Sequence, residues 1–119
     1  MLVDRYTKSN YASYEDFAEN CRIAVPENFK FGFDIVDVTA DATPEKKAMI
    51  WCNEEGEEAV FTFADMKRMS NKTANFFKSL GIKKGDFVML MLKRRYEYWY
   101  CSVALHKLGA VLIPATHLL

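Results

Sequence analysis

The sequence predicts an α/β chain built around one β-α-β unit, and three observations lead there. Phe87 to Leu92 is an unbroken apolar run of strand length. Arg95 to Leu108 is long enough for a crossover helix and stops at Gly109. Val111, Leu112 and Ile113 then form a second apolar run, with strand bounds of about 110–113, before Pro114. Apolar runs without alternation fit strands buried on both faces of a sheet. A parallel pair needs a crossover of helix length, and the crossover should be right-handed.

The elements ahead of this unit follow from local chemistry. Residues 1–12 read as an irregular arm. Ser13 caps a short helix through Cys21, with Asp16 three residues on, and Pro26 bars any helix from continuing. Ile35, Val38, Thr39 and Ala42 recur at helical spacing, which predicts a helix over Asp34–Ala42 that stops before Pro44. A strand is the alternative there, because Ile, Val and Thr are β-branched. Ala48–Cys52 and Glu58–Phe63 flank Asn53-Glu54-Glu55-Gly56-Glu57, a hairpin over about 48–63.

Thr62 caps a long helix over about 63–80, with Asp65 in its first turn and Gly81 just past its end. Met66, Met69, Thr73, Phe76, Phe77 and Leu80 make its predicted buried stripe, with Lys67, Arg68, Asn71, Lys72 and Lys78 off it.

Composition narrows the function classes. The chain has 119 residues, enough for one core, so it is read as a single unit, 1–119. It is 50% hydrophobic and 14% aromatic, which excludes disorder. Sixteen basic residues balance sixteen acidic ones, which argues against nucleic acid as a partner. No apolar run has the length of a membrane span, and no secretory h-region is expected at the N-terminus. Cys21, Cys52 and Cys101 are odd in number and widely spaced. They read as reduced, mostly buried thiols of a cytoplasmic protein, without metal spacing.

Three stretches invite a functional reading. Lys83-Lys84-Gly85-Asp86 follows a helix and precedes a strand, the wrong order for a phosphate loop, so it is expected to be an exposed turn. Lys93-Arg94-Arg95 lies at the carboxyl end of the first strand, the edge where α/β sheets bind ligands, but lacks a glycine for close backbone approach. Tyr96, Tyr98, Trp99 and Tyr100 surround the crossover helix and are read as packing. His106 is read as a packed or capped histidine, without an acid or nucleophile on its face. No GxGxxG, GxxxxGK[ST] or GxSxG is present.

One ordered series is more specific. Leu80-Gly81-Ile82-Lys83-Lys84-Gly85-Asp86, the strand Phe87 to Leu92, the helix end His106-Lys107-Leu108-Gly109-Ala110-Val111, and Ile113-Pro114 resemble the AMP-forming acyl-CoA synthetases of the adenylate-forming superfamily. Val25 to Asp34 and Pro114-Ala115-Thr116 look most like the branch that activates medium-chain and aromatic acids. The resemblance runs from about Tyr14 onward. Many members carry Pro-Asn after the first strand, where this chain has Lys93-Arg94.

The resemblance implies the incomplete N-terminal part of a larger domain. The family's phosphate loop, adenine and ribose contacts and catalytic lysine all follow the matched stretch. No catalytic, cofactor-binding or metal-binding residue is therefore assigned here. ATP, Mg and CoA are expected for the full-length parent alone. The expected partners are the remainder of the parent chain and, through an exposed sheet edge, a second copy in a homodimer. A stand-alone interaction module is the alternative.

Overall fold

The structure, a computed structural model, describes residues 2–118. Calls on the arm and the chain end that touch Met1 and Leu119 lie outside the described residues. A short 3-10 turn, Leu2–Arg5, opens the arm. Helix α1, Tyr14–Asn20, begins as predicted: the Ser13 hydroxyl accepts the Asp16 N–H at 3.2 Å, and Asp16 accepts the Ala12 N–H at 2.9 Å.

The helix expected from Asp34 starts two residues sooner. Gly32–Asp37 is wound as a π-helix and continues directly into α2, Val38–Ala42, so the strand alternative is excluded. Asp34 anchors its start by accepting the Lys30 N–H at 2.6 Å. The Thr39 hydroxyl donates to the Ile35 carbonyl at 2.6 Å, a bond that lets a β-branched residue sit within a helix.

Strands β1 (Lys47–Cys52) and β2 (Glu58–Thr62) form the antiparallel hairpin, with Ile50 opposite Val60. The Asn53 side-chain oxygen accepts the N–H groups of Glu55 and Glu57, which closes the loop on itself. Helix α3, Phe63–Ser79, carries the expected capping box: Thr62 Oγ1 accepts the Asp65 N–H, and the Asp65 carboxylate accepts the Thr62 N–H, both at 3.1 Å. Gly81, at φ 88°, ends it. Its N–H reaches the Lys78 carbonyl while that of Ile82 reaches Phe77, the paired bonds of a Schellman turn.

Strands β3 (Phe87–Leu90) and β4 (Val111–Pro114) are parallel neighbours in one sheet, joined through helix α4, Glu97–Leu108. The β-α-β unit is therefore present. The first strand is shorter than predicted, because Met91 and Leu92 already belong to the loop. The hairpin forms its own two-stranded sheet.

Two expectations about burial need correction. The β3–β4 sheet is covered on one face only: Val88, Leu90 and Leu112 pack toward Leu105 and Ala110, while Phe87 is 73% exposed and Met89 56%. Unbroken apolar runs do mark strands made for two covered faces, but helices of this chain reach just one of them. The stripe of α3 is also displaced. Its buried residues are Met66, Ser70 and Ala74, whereas Phe76 and Leu80 are exposed. Small side chains permit close contact between α3 and α4, and the bulky ones flank it.

Two clusters make the core. Val36, Met66, Tyr100 and Val103 form one, and Leu90, Leu105 and Ala110 the other, with Cys101 packed against both. Fully burying Leu105 contributes about 1.5–3 kcal/mol.

Candidate functional site

The Lys83–Asp86 segment is an exposed turn, as its position implied. Gly85 takes φ 88° and donates to the Gly109 carbonyl at 2.9 Å, which ties the turn to the end of α4. Asp86 closes it by accepting the Lys83 N–H at 2.9 Å. These backbone groups serve the turn itself and do not converge on an open point.

Lys93, Arg94 and Arg95 do lie beyond the carboxyl end of β3. Arg94 holds φ 42°, unusual for a residue with a Cβ, and its carbonyl accepts the Trp51 indole N–H at 2.8 Å. Trp51 thus pins the loop to β1. The Arg95 guanidinium is 3.0 Å from Glu97, which holds the arginine above and the glutamate below their ordinary values. The depression beside this loop, about 520 Å³, is lined by Glu54 and Glu55 as well as by the three cations. Mixed charge of that kind does not make an anion cradle.

The aromatic cluster divides. Tyr96 packs on Trp51, Phe61 and Tyr100, and Tyr100 is buried, so these two are packing residues as expected. Burial pushes the Tyr100 hydroxyl up to about 12. Trp99 is 56% exposed and stands at an apolar cavity of about 530 Å³. Phe31 and Val36 form one side of this cavity, Met49 and Phe63 another, and Trp99, Ser102, Val103 and His106 of α4 a third. Its size and lining suit a small apolar group.

His106 packs edge-on against Phe31, and its Nδ1 is buried without a hydrogen-bond partner among the described residues. Its face does carry a hydroxyl, contrary to expectation. Ser102 lies one helical turn earlier and lines the same cavity.

Sequence reasoning missed Lys107. Its side chain is 2% exposed, and its ammonium donates to Asp37 at 2.6 Å and to Asn71 at 2.7 Å. Asn71, placed off the buried stripe from sequence, is a partner of this buried cation. No local signal marks Lys107, because a lysine in the last turn of a helix is ordinarily a dipole-complementing surface charge.

The cysteines are free but less buried than expected: Cys52 is exposed, while Cys21 and Cys101 are half-buried. Burial pushes the Cys101 thiol up, away from reactivity. Among the described residues no group of three or more His, Cys, Asp or Glu side chains converges to hold a metal ion. With the turn glycines engaged and the Lys93–Arg95 cations facing a depression that Glu54 and Glu55 also line, the residues described do not fit a magnesium–nucleotide site.

The parallel strand pair with its crossover helix, and the basic loop beyond the carboxyl end of β3, make an α/β arrangement. Residues 36–119 match the family described as AMP-binding enzyme, and the chain belongs to that family. It is 34% identical over 116 residues to acyl-coenzyme A synthetase ACSM3, mitochondrial, of Homo sapiens, across 92% of this chain and 20% of the relative. With acyl-coenzyme A synthetase ACSM5, mitochondrial, of Rattus norvegicus it shares 38% over 96 residues, 76% of this chain and 17% of the relative.

Among solved structures, the N-terminal domain of FACL13 from Mycobacterium tuberculosis superposes with a TM-score of 0.64 at 28% identity, covering 76% of this chain and 22% of that one. The fatty acid AMP ligase of Legionella pneumophila shares the fold, with a TM-score of 0.67 at 21% identity over 71% and 15%. The resemblance read from the sequence is borne out. The chain spans about a fifth of the length of the curated relatives it matches.

Proposed function

We propose that this chain is the N-terminal scaffold segment of an ATP-dependent acyl-CoA synthetase, which converts a carboxylic acid, ATP and CoA to acyl-CoA, AMP and pyrophosphate. In that reading the segment is catalytically silent alone. ATP, magnesium and CoA would be bound by later parts of the parent, and this segment would supply the α3–α4 pair and the first strands of the sheet.

The observation that supports this most is the bare face of β3 and β4. Phe87, Met89, Val111 and Ile113 are exposed together, and a sheet with apolar residues on both faces is built for a second layer. The remainder of the parent is the partner that such a face suits. The donor set supports the silent reading: among the described residues no N–H groups or cations converge to take up charge developing on a phosphoryl group.

A second reading is a stand-alone interaction or dimerisation module, favoured by the same unpaired strand edges. Sequencing the transcript past the Leu119 codon separates the two. A frame that continues into a Ser/Thr/Gly-rich phosphate loop supports the synthetase segment, and a stop codon there supports the module. For localisation we favour the cytoplasm, since three unpaired thiols suit a reducing compartment. The relatives named above are mitochondrial by name, so cell fractionation is the deciding measurement. No helix among the described residues is long and apolar enough to cross a membrane.

A further inference from the structure

Residues 32–42 reach the apolar cavity through Val36, next to Phe31 just before them, and the way they are attached is unusual. Val36 and Ala40 are the buried apolar side chains of this stretch, while Phe33, and Phe31 just before it, stand exposed. Apolar packing therefore holds it chiefly through Val36, which joins the Met66, Tyr100 and Val103 cluster, and through Ala40. Apart from a long bond from the Tyr6 hydroxyl to the Asp34 carbonyl at 3.4 Å, the polar attachment centres on Lys107. The ammonium of Lys107 meets Asp37 at 2.6 Å and lies 5.4 Å from the Phe33 ring centre, while the Lys107 carbonyl accepts the Lys30 ammonium at 3.2 Å. Asn71 of α3 holds the other side of the cation at 2.7 Å. A further tie, Lys67 to Asp41, lies in solvent, where such pairs contribute little.

Close approach reinforces this point. A Cβ at Gly32 would stand 2.6 Å from Lys107 Cγ and 3.1 Å from the Val103 carbonyl, so only glycine lets the stretch lie on α4. At the other end the chain is pinned again at once. The Pro44 carbonyl accepts the Ala64 N–H at 3.1 Å, and that of Lys46 accepts the Phe63 N–H at 2.9 Å. Thr43 lies between the moving part and this anchor. The wide π-turn at 32–37 adds a locally less favourable winding, a feature frequent at functional places in helices.

We propose that residues 32–42 are a hinged flap beside the cavity, closed by the Lys107–Asp37 latch, which opens as a unit between Phe31 and Thr43 while α3, α4 and the β3–β4 sheet stay folded. Opening carries Val36 out of the cluster it shares with Met66, Tyr100 and Val103 and widens access to the His106 side of the cavity. The flap does not depend on the synthetase reading.

Native-state amide hydrogen exchange on the full chain tests it. In the wild type, amides of residues 36–43 should exchange through an opening with a smaller denaturant dependence than those of residues 70–77 and 102–108. Asp37→Asn should speed exchange in 36–43 by about tenfold or more and leave the two helices within about twofold. Gly32→Ala should act in the same direction. If the wild-type flap exchanges in step with α3 and α4, there is no separate flap. If Asp37→Asn speeds all three segments alike, or none, Lys107 is not its latch.

Discussion

The Lys107 ammonium lies 2.6 Å from the Asp37 carboxylate, 70 residues away in sequence, with the lysine side chain 2% exposed and the aspartate 12%. Breaking a buried pair strands the remaining charge, so Lys107→Ala should lower stability by about 3–5 kcal/mol in urea denaturation. Replacing both partners, Lys107→Met with Asp37→Leu, should cost less than the two single changes added together. Additive losses would mean that the two charges do not depend on one another.

The start of α3 gives a prediction with a pH sign. Thr62→Ala should cost about 1 kcal/mol through loss of the cap. The Asp65 carboxyl is held below its ordinary value, first by the Thr62 backbone N–H, then by Arg68 and the Thr62 hydroxyl. A carboxylate lowered on folding adds stability above its unfolded value, near about 3.9, and loses it as pH falls through the folded value. Asp65→Asn should therefore flatten part of the acid limb below about pH 4. An unchanged acid limb would show that Asp65 is unperturbed in solution.

Tyr100 contributes on the alkaline side. Its hydroxyl is pushed up to about 12, chiefly by burial. A group raised on folding contributes stability fully present below its unfolded value near about 10, and lost as pH climbs toward the folded one. Tyr100→Phe should make stability less dependent on pH between about 10 and 12. Absorbance at alkaline pH should show one tyrosine titrating at about 12.

Gly109 closes α4 at φ 74°, with the Lys84 stem close to where a Cβ would stand. Gly109→Ala should cost about 1–2 kcal/mol from backbone strain alone. Thermal melts of this variant beside Gly56→Ala, whose φ is also positive but whose surroundings are open, separate strain from the contact with Lys84.

The elements that could be read from the sequence carry their own signals. Thr62 and Asp65 start α3 by local hydrogen bonds, Gly81 and Gly109 end helices by their φ, and the apolar runs of β3 and β4 need no distant partner to be recognised. Burial was less legible. Ser70 and Ala74 are buried because α3 and α4 touch, and Lys107 is buried because Asp37 and Asn71 arrive from other segments. Neither fact is written in the spacing around those residues. The cavity is equally non-local, since its walls come from Phe31, Met49, Phe63 and Trp99.

The bare sheet face should behave as an interface. Phe87→Ser and Met89→Ser remove exposed apolar surface, so each should change stability by no more than about 0.5 kcal/mol. Both should reduce self-association in sedimentation velocity. A large loss of stability would mean that the face is already covered within the chain.

ATP–pyrophosphate exchange by the purified chain, with short, medium-chain and aromatic acids, tests most directly whether this segment is a scaffold without chemistry of its own. A folded circular-dichroism spectrum with no acid-dependent exchange is the predicted result. Acid-dependent exchange that persists through repurification would contradict it and place an adenylating site within these 119 residues.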